Sequence, residues 1–371
     1  MTSALFQPIS LRELRLQNRI MVSPMCQYSA TEGNANDWHL IHLGQLALGG
    51  AGLVCVEATA VEAIGRITPE CLGLYSDDNE SALRRLITAV RCQTDTPLAI
   101  QLAHAGRKGS SCTPWDGGKL IPVGAGGWEP IAPSALSYSP SEPPPREMAA
   151  ADLERVRDAF VHTARRADRL GFDAVQLHAA HGYLLHEFLS PIANRRDDRY
   201  GGTLENRMRF PLEVFSAVRK VWPEARPLGV RISASDWIEG GWDLAQSIAF
   251  SRQLKALGCD WIDASSGGLA PEQKITLGPG YQVQFAEAIR REAGIPTIAV
   301  GLITEPQQAE AIIAAGRADM VALARAMLFN PHWAWRAAAE LGGQVSAPKQ
   351  YWRAGPHGAG AIFGNAKLGQ R

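Results

Sequence analysis

His178, His181 and Tyr183 close the run Q-L-H-A-A-H-G-Y, at the end of an apolar stretch over residues 174–179. Two imidazoles three residues apart, followed by a phenol, are groups that donate hydrogen bonds and move protons near neutral pH. They suit a substrate oxygen held by two donors, with Tyr183 as the proton source. Metal ligation competes with that reading, but no third ligand stands at a matching spacing. A core histidine satisfied by its neighbours remains the plain reading of either ring alone. Arg231 lies inside another apolar run, 228–234, where a guanidinium is costly unless something anionic meets it. Gly301 and Arg325 end two further runs. A phosphate needs backbone N–H donors and a cation, and this pair could supply both. An arginine that caps a helix or pairs at the surface explains Arg325 equally well at this stage.

These residues sit at the ends of short segments that recur along the chain. Apolar runs at 20–25, 53–59, 98–104, 174–179, 228–234, 261–266, 297–302 and 320–324 read as parallel strands buried on both faces. Amphipathic segments separate them, at 77–93, 151–171, 206–222, 243–257, 282–292, 305–315 and 331–341. In 151–171, Leu153, Val156, Phe160, Ala164, Ala167 and Leu170 share a face, with Asp152 expected as N-cap and Gly171 as the stop. Thr304-Glu305-Pro306 reads as a cap followed by a first-turn proline. Eight strands alternating with helices predict an α/β fold, a single-domain (β/α)8 TIM barrel. An open doubly wound sheet is disfavoured because no G-x-G-x-x-G follows the first strand. Residues 107–146, rich in Gly, Pro, Ser and Trp, form an excursion after strand three, expected as a hairpin or lid over the mouth. Residues 1–353 are read as the barrel and 354–371 as a mobile tail.

Composition excludes some classes. Lys+Arg and Asp+Glu are both 37, so no overall charge draws the chain to nucleic acid or an anionic membrane. No window approaches the apolar length of a membrane span, and residues 1–16 lack a signal-peptide pattern. The six cysteines show no C-x2-C spacing, against a zinc or iron–sulfur site and in favour of a reduced cytoplasmic protein.

Four stretches together resemble the old yellow enzyme family: S-P-M-C-Q-Y at 23–28, Q-L-A-H-A-G-R-K at 101–108, H-A-A-H-G-Y-L at 178–184 and N-R-R-D-D-R-Y-G-G-T-L-E-N-R-M-R-F at 194–210. The cysteine of the first and Q-Y-W-R at 350–353 are similar to its bacterial thermophilic-like branch. The likeness runs in order from about residue 5 to 353.

The resemblance implies an FMN barrel reduced by NADPH or NADH that reduces enones, enals, maleimides and nitroalkenes. Hydride would pass from flavin N5, with a proton from Tyr183. Pro24, Met25, Cys26, Ala58 and Gln101 would line the flavin, and Arg231 would face N1 and the C2 oxygen. Gly301, Ala324 and Arg325 would hold the phosphate. His178 and His181 would bind the substrate oxygen, and Tyr28 would line the pocket. Arg353 would reach a neighbouring subunit's site, implying a homodimer or homotetramer. Ala324 stands where the branch usually has glycine, which matters only if φ there is positive. Three other readings compete with this one. A 2-hydroxy-acid oxidase needs a late histidine base, but His332 and His357 are not at strand ends. A dienoyl-CoA reductase needs cluster cysteines and a further domain. A flavin-binding barrel or phosphate scaffold without turnover would not need His178, His181 and Tyr183.

Overall fold

The computed structural model describes residues 3–358 and 361–364. Eight strands, all paired in parallel, close into a barrel. They are β1 Ile20–Val22, β2 Leu53–Ala60, β3 Leu98–Ala103, β4 Ala174–Ala179, β5 Leu228–Ser233, β6 Trp261–Ser265, β7 Thr297–Ala299 and β8 Met320–Leu323. Each falls on one of the eight apolar runs. Burial on both faces removes the alternation that a half-exposed strand shows.

Eight principal helices form the outer layer: α1 Asp37–Ala47, α2 Asp77–Arg91, α3 Ala150–Arg169, α4 Leu204–Val221, α5 Leu244–Ala256, α6 Val283–Ala293, α7 Pro306–Ala314 and α8 Trp333–Leu341. Short helices Leu184–Leu189 and Arg325–Phe329 follow β4 and β8. The helix pattern missed α1, because His39 and His42 interrupt its apolar stripe. Both are buried, and desolvation lowers each imidazole to about 4, so they pack as neutral rings.

Two cap expectations fail locally. Helix α3 begins at Ala150, so Asp152 lies within its first turn, where its carboxylate accepts from Ala149 N at 2.9 Å and binds Arg146. In α7 the N-cap is Glu305, not Thr304, although Pro306 does open the helix.

Inside the barrel the floor is apolar. Leu53, Cys55, Ala99, Ala174, Trp261, Ile298 and Met320 pack with Leu11 and Leu16 of an N-terminal hairpin, Ile9–Leu11 with Leu14–Leu16. The hairpin plugs the bottom. The second core lies between barrel and helices. Strand β2 bulges at Glu57, so Ala58 takes the register beside Gln101 while Glu57 is turned toward His39 of α1.

The excursion is built of short 3-10 turns, one antiparallel bridge between Ser111 and Leu120, and a two-residue parallel pairing of Ile131–Ala132 with Arg146–Glu147. In the expected tail, Ile362 is buried, Val345 N donates to its carbonyl at 2.8 Å, and Phe363 packs on Trp335. Positions 359–360 and 365–371 of that tail lie outside the described residues.

Candidate active site

Strand β4 ends in a turn that gathers three of the expected groups. His181 has φ +59 and Gly182 φ +74, two consecutive left-handed residues that reverse the chain sharply. A Cβ on Gly182 would overlap the backbone of Gly268 and Leu269, so glycine is required there. The turn brings the rings together. His178 meets His181 edge-on at 5.1 Å between centroids, and Tyr183 at 5.0 Å.

His178 is buried, and neither of its ring nitrogens has a hydrogen-bond partner among the described residues. Burial, reinforced by Arg231, lowers both imidazoles well below the ordinary histidine value. Burial likewise raises Tyr183 well above the phenol range. Two neutral N–H donors and one protonated hydroxyl therefore coexist at neutral pH. Lys108 lies 5.0 Å from the Tyr183 ring centroid.

Below these rings runs a polar layer. Gln101 Nε2 donates to Gln176 Oε1 at 2.7 Å, and Gln176 Nε2 donates to Asp263 Oδ2 at 3.3 Å. Asp263 Oδ2 also stands 3.3 Å from Arg231 Nε. All four side chains are buried, from β3, β4, β5 and β6. The terminal guanidinium nitrogens of Arg231 have no protein hydrogen bond among the described residues. Arg231 lines a cavity of about 190 Å³ with Ser265, Gln282, Gly301, Ala324 and Arg325.

That cavity joins the three residues of the expected phosphate site. Gly301 has φ +115, and a Cβ there would crowd Gln282 Nε2 at 2.7 Å. Ala324 has φ −107, so its backbone does not need glycine. Arg325 is exposed and has no ion pair among the described residues. Pro24, Met25, Cys26 and Tyr28 are half-buried in the loop after β1, whose Gln27 N donates to Glu57 at 3.0 Å. Burial, with Cys71 and Glu57 nearby, raises the Cys26 thiol well above its usual value.

Several residues of this site went unrecognised in the sequence. Ser265 Oγ lies 2.7 Å from His181 Nε2. Asp263 and Ser265 alternate with apolar neighbours in W-I-D-A-S, a period of two that marks inward positions. Trp115, in the excursion, meets Tyr28 edge-on at 5.6 Å. Lys108 donates to the carbonyls of His181 and Gly268, and Arg107 to those of Leu136, Ser137 and Leu269. Both cations thus brace loops. Arg353 is exposed on the turn Lys349–Ala354, whose Tyr351 packs on His332 and Trp335. It does not join the histidine cluster of its own chain.

A barrel whose mouth pairs an unengaged arginine fork and a glycine-flanked cationic cavity with two neutral imidazoles is suited to a phosphorylated redox cofactor. The profile of the NADH:flavin oxidoreductase / NADH oxidase family matches residues 4–344. An NADPH dehydrogenase of Geobacillus thermodenitrificans (strain NG80-2) is 48% identical over 355 residues, 95% of this chain and 99% of that one. Morphinone reductase in complex with tetrahydroNAD superposes with a TM-score of 0.75 at 28% identity, covering 98% of this chain and 97% of the other. A 2-naphthoyl-CoA reductase complex gives 0.79 at 27% identity and 89% coverage, although this chain spans only 51% of it. The chain belongs to the NADH:flavin oxidoreductase / NADH oxidase family, the old yellow enzymes, and is a flavin oxidoreductase.

FMN, the family's cofactor, suits the groups present. The free fork of Arg231 offers donors to an electron-rich ring edge, and Arg325 beside Gly301 offers a cation and an approachable backbone to a phosphate. Among the described residues no helix is long and apolar enough to cross a membrane.

Proposed function

We propose that this flavin oxidoreductase is an ene-reductase: an NADPH dehydrogenase that spends its electrons on activated C=C bonds of enones, enals, maleimides and nitroalkenes. FMN, when bound, supplies two-electron transfer between the nicotinamide and the alkene. The remaining roles belong to the chain. Arg325 and the backbone around Gly301 and Ala324 hold the phosphate; Arg231, Gln101, Ala58, Pro24, Met25 and Cys26 surround the ring.

His178 and His181 donate N–H bonds to the carbonyl or nitro oxygen of the alkene. Negative charge develops on that oxygen as the β-carbon is reduced, so donors already in place lower the barrier. Tyr183 delivers its hydroxyl proton to the α-carbon. Tyr28 walls the pocket. The observation that carries this reading is the buried His178 ring with both nitrogens unpaired, 5.0–5.1 Å from its two partners. A core histidine is normally satisfied by its neighbours, whereas this one is left with capacity for a ligand oxygen.

The exposed Arg353 is read as completing a neighbouring subunit's pocket in a homodimer or homotetramer. Residues up to 353 act as one FMN-binding unit. Six free cysteines suit a cytoplasmic setting.

The test is a titration of the yellow protein with p-hydroxybenzaldehyde, followed by NADPH oxidation with 2-cyclohexenone. A long-wavelength charge-transfer band that disappears in His178→Ala, together with alkene-dependent turnover, is the expected result. Tight phenolate binding in that variant would overturn the histidine assignment.

A further inference from the structure

Asp263 has no place in the reaction as described, yet it is wholly buried and its carboxylate stands 3.3 Å from Arg231. The contact falls on Nε. The two terminal nitrogens, which a carboxylate ordinarily takes in a bidentate pair, stay free toward the cavity. The pair is therefore arranged from behind: Asp263 stands at ion-pair distance from the inner nitrogen, without a hydrogen bond to it, and leaves the fork for a ligand.

A buried carboxylate is costly to retain, and Asp263 is in register with Arg231 on β5 and with the apolar Ile298 on β7. Gln101 and Gln176 fill their positions in the same layer without charge. Gln176 donates to Asp263 Oδ2, while Oδ1 has no hydrogen-bond partner among the described residues. A neutral side chain of the same shape would occupy the place beside Arg231 Nε equally well. What it would not do is offset the arginine's charge.

We propose that Asp263 is a positioning residue that sets how much of Arg231's positive charge reaches the cofactor, and so sets the potential of the bound flavin. This rests on the reading that the FMN ring lies against Arg231. An oxidised ring is neutral there, whereas a ring that has gained two electrons and one proton carries net negative charge. Arg231 stabilises the reduced form more, and Asp263 moderates that preference. Removing the carboxylate should leave the fork in place and make the flavin easier to reduce.

Asp263→Asn and Asp263→Ser test this in the FMN-loaded protein. The expected result is FMN uptake like wild type, with the reduced-to-oxidised ratio at a fixed dye poise raised on the order of tenfold. A merely structural role would lower thermal stability or FMN content without raising the potential. The inference is overturned if the loaded variants keep the wild-type potential or become harder to reduce, or if neither variant takes up FMN. If wild type itself takes up no FMN, as followed by fluorescence of the free cofactor, the flavin reading falls and the inference with it.

Discussion

His181 Nε2 lies 2.7 Å from Ser265 Oγ, so the turn after β4 is tied to the last residue of β6. His181 N also donates to Ser233 Oγ at 2.9 Å, and Ser233 and Ser265 are register partners on β5 and β6. The loop histidine is thereby oriented by two neighbouring strands. Ser265 Oγ also donates to Gln282 Oε1 at 3.4 Å, and the contact at Nε2 leaves His181 Nδ1, which has no protein partner among the described residues, open to a substrate.

Replacing Ser265 with alanine should free that ring while leaving the fold intact. One neutral hydrogen bond contributes about 1 kcal/mol, so phenolate binding should weaken roughly fivefold. Spectral titration of FMN-loaded Ser265→Ala with p-hydroxybenzaldehyde measures it. Unchanged affinity would mean that His181 is held by the turn alone.

Trp115 is 68% exposed, unusual for tryptophan, and its one aromatic contact among the described residues is the edge of Tyr28. Tyr28 itself has φ +49, a left-handed conformation that bulky residues seldom adopt. An exposed indole beside the proposed pocket tyrosine favours aromatic substrates, since an aromatic pair is worth about 0.5–1.5 kcal/mol. Trp115→Ala should raise KM for a phenyl-substituted enone by roughly three- to tenfold and leave a short open-chain alkyl enone nearly unaffected. Equal changes for both would remove the indole from the specificity argument.

Gly301 and Ala324 separate two meanings of a small residue at the proposed phosphate site. Gly301 at φ +115 adopts a backbone conformation that a Cβ disfavours, whereas Ala324 already carries its Cβ at a negative φ of −107. Gly301→Ala should weaken FMN binding by at least about tenfold, because the strained backbone costs roughly 1–3 kcal/mol. Ala324→Gly should leave it almost unchanged. Titrating both apoproteins with FMN decides the point, and a reversed order would contradict the backbone geometry.

The strands were legible because burial on both faces makes them apolar throughout, and their ends located His178, Arg231, Gly301 and Arg325 together. Helix α1 was not, since a buried neutral histidine reads as polar in a sequence. Glu57 was hidden for another reason. Its bulge shifts the inward position to Ala58, and simple alternation along β2 would have pointed the acid into the barrel. Asp263 and Ser265 did carry a signal, the polar alternation in W-I-D-A-S, but its meaning depends on knowing which face is inside. Trp115 lay in a segment without periodicity, where spatial neighbours cannot be derived.

Glu80 joins two helices of the outer layer that carry no chemistry. From α2 it accepts from Arg84 at 2.8 Å on its own helix and from Arg166 at 2.7 Å and Arg169 at 2.6 Å on α3. Hydrogen bonds from Arg169, then Arg166, lower its carboxyl to about 2 against their cost in desolvation. The folded value lies below the unfolded one, so the stabilisation is fully present above the ordinary glutamate range and is lost as pH falls toward 2. Arg84 and Arg169 are half-exposed, and solvent screens part of the gain. Glu80→Gln should therefore cost roughly 1–3 kcal/mol at pH 7 and lower Tm by several degrees. Melts of both proteins at pH 7 and pH 4 check the sign: the gap between them should narrow at the lower pH. A gap that stayed constant would show that the carboxylate's charge is not what joins α2 to α3.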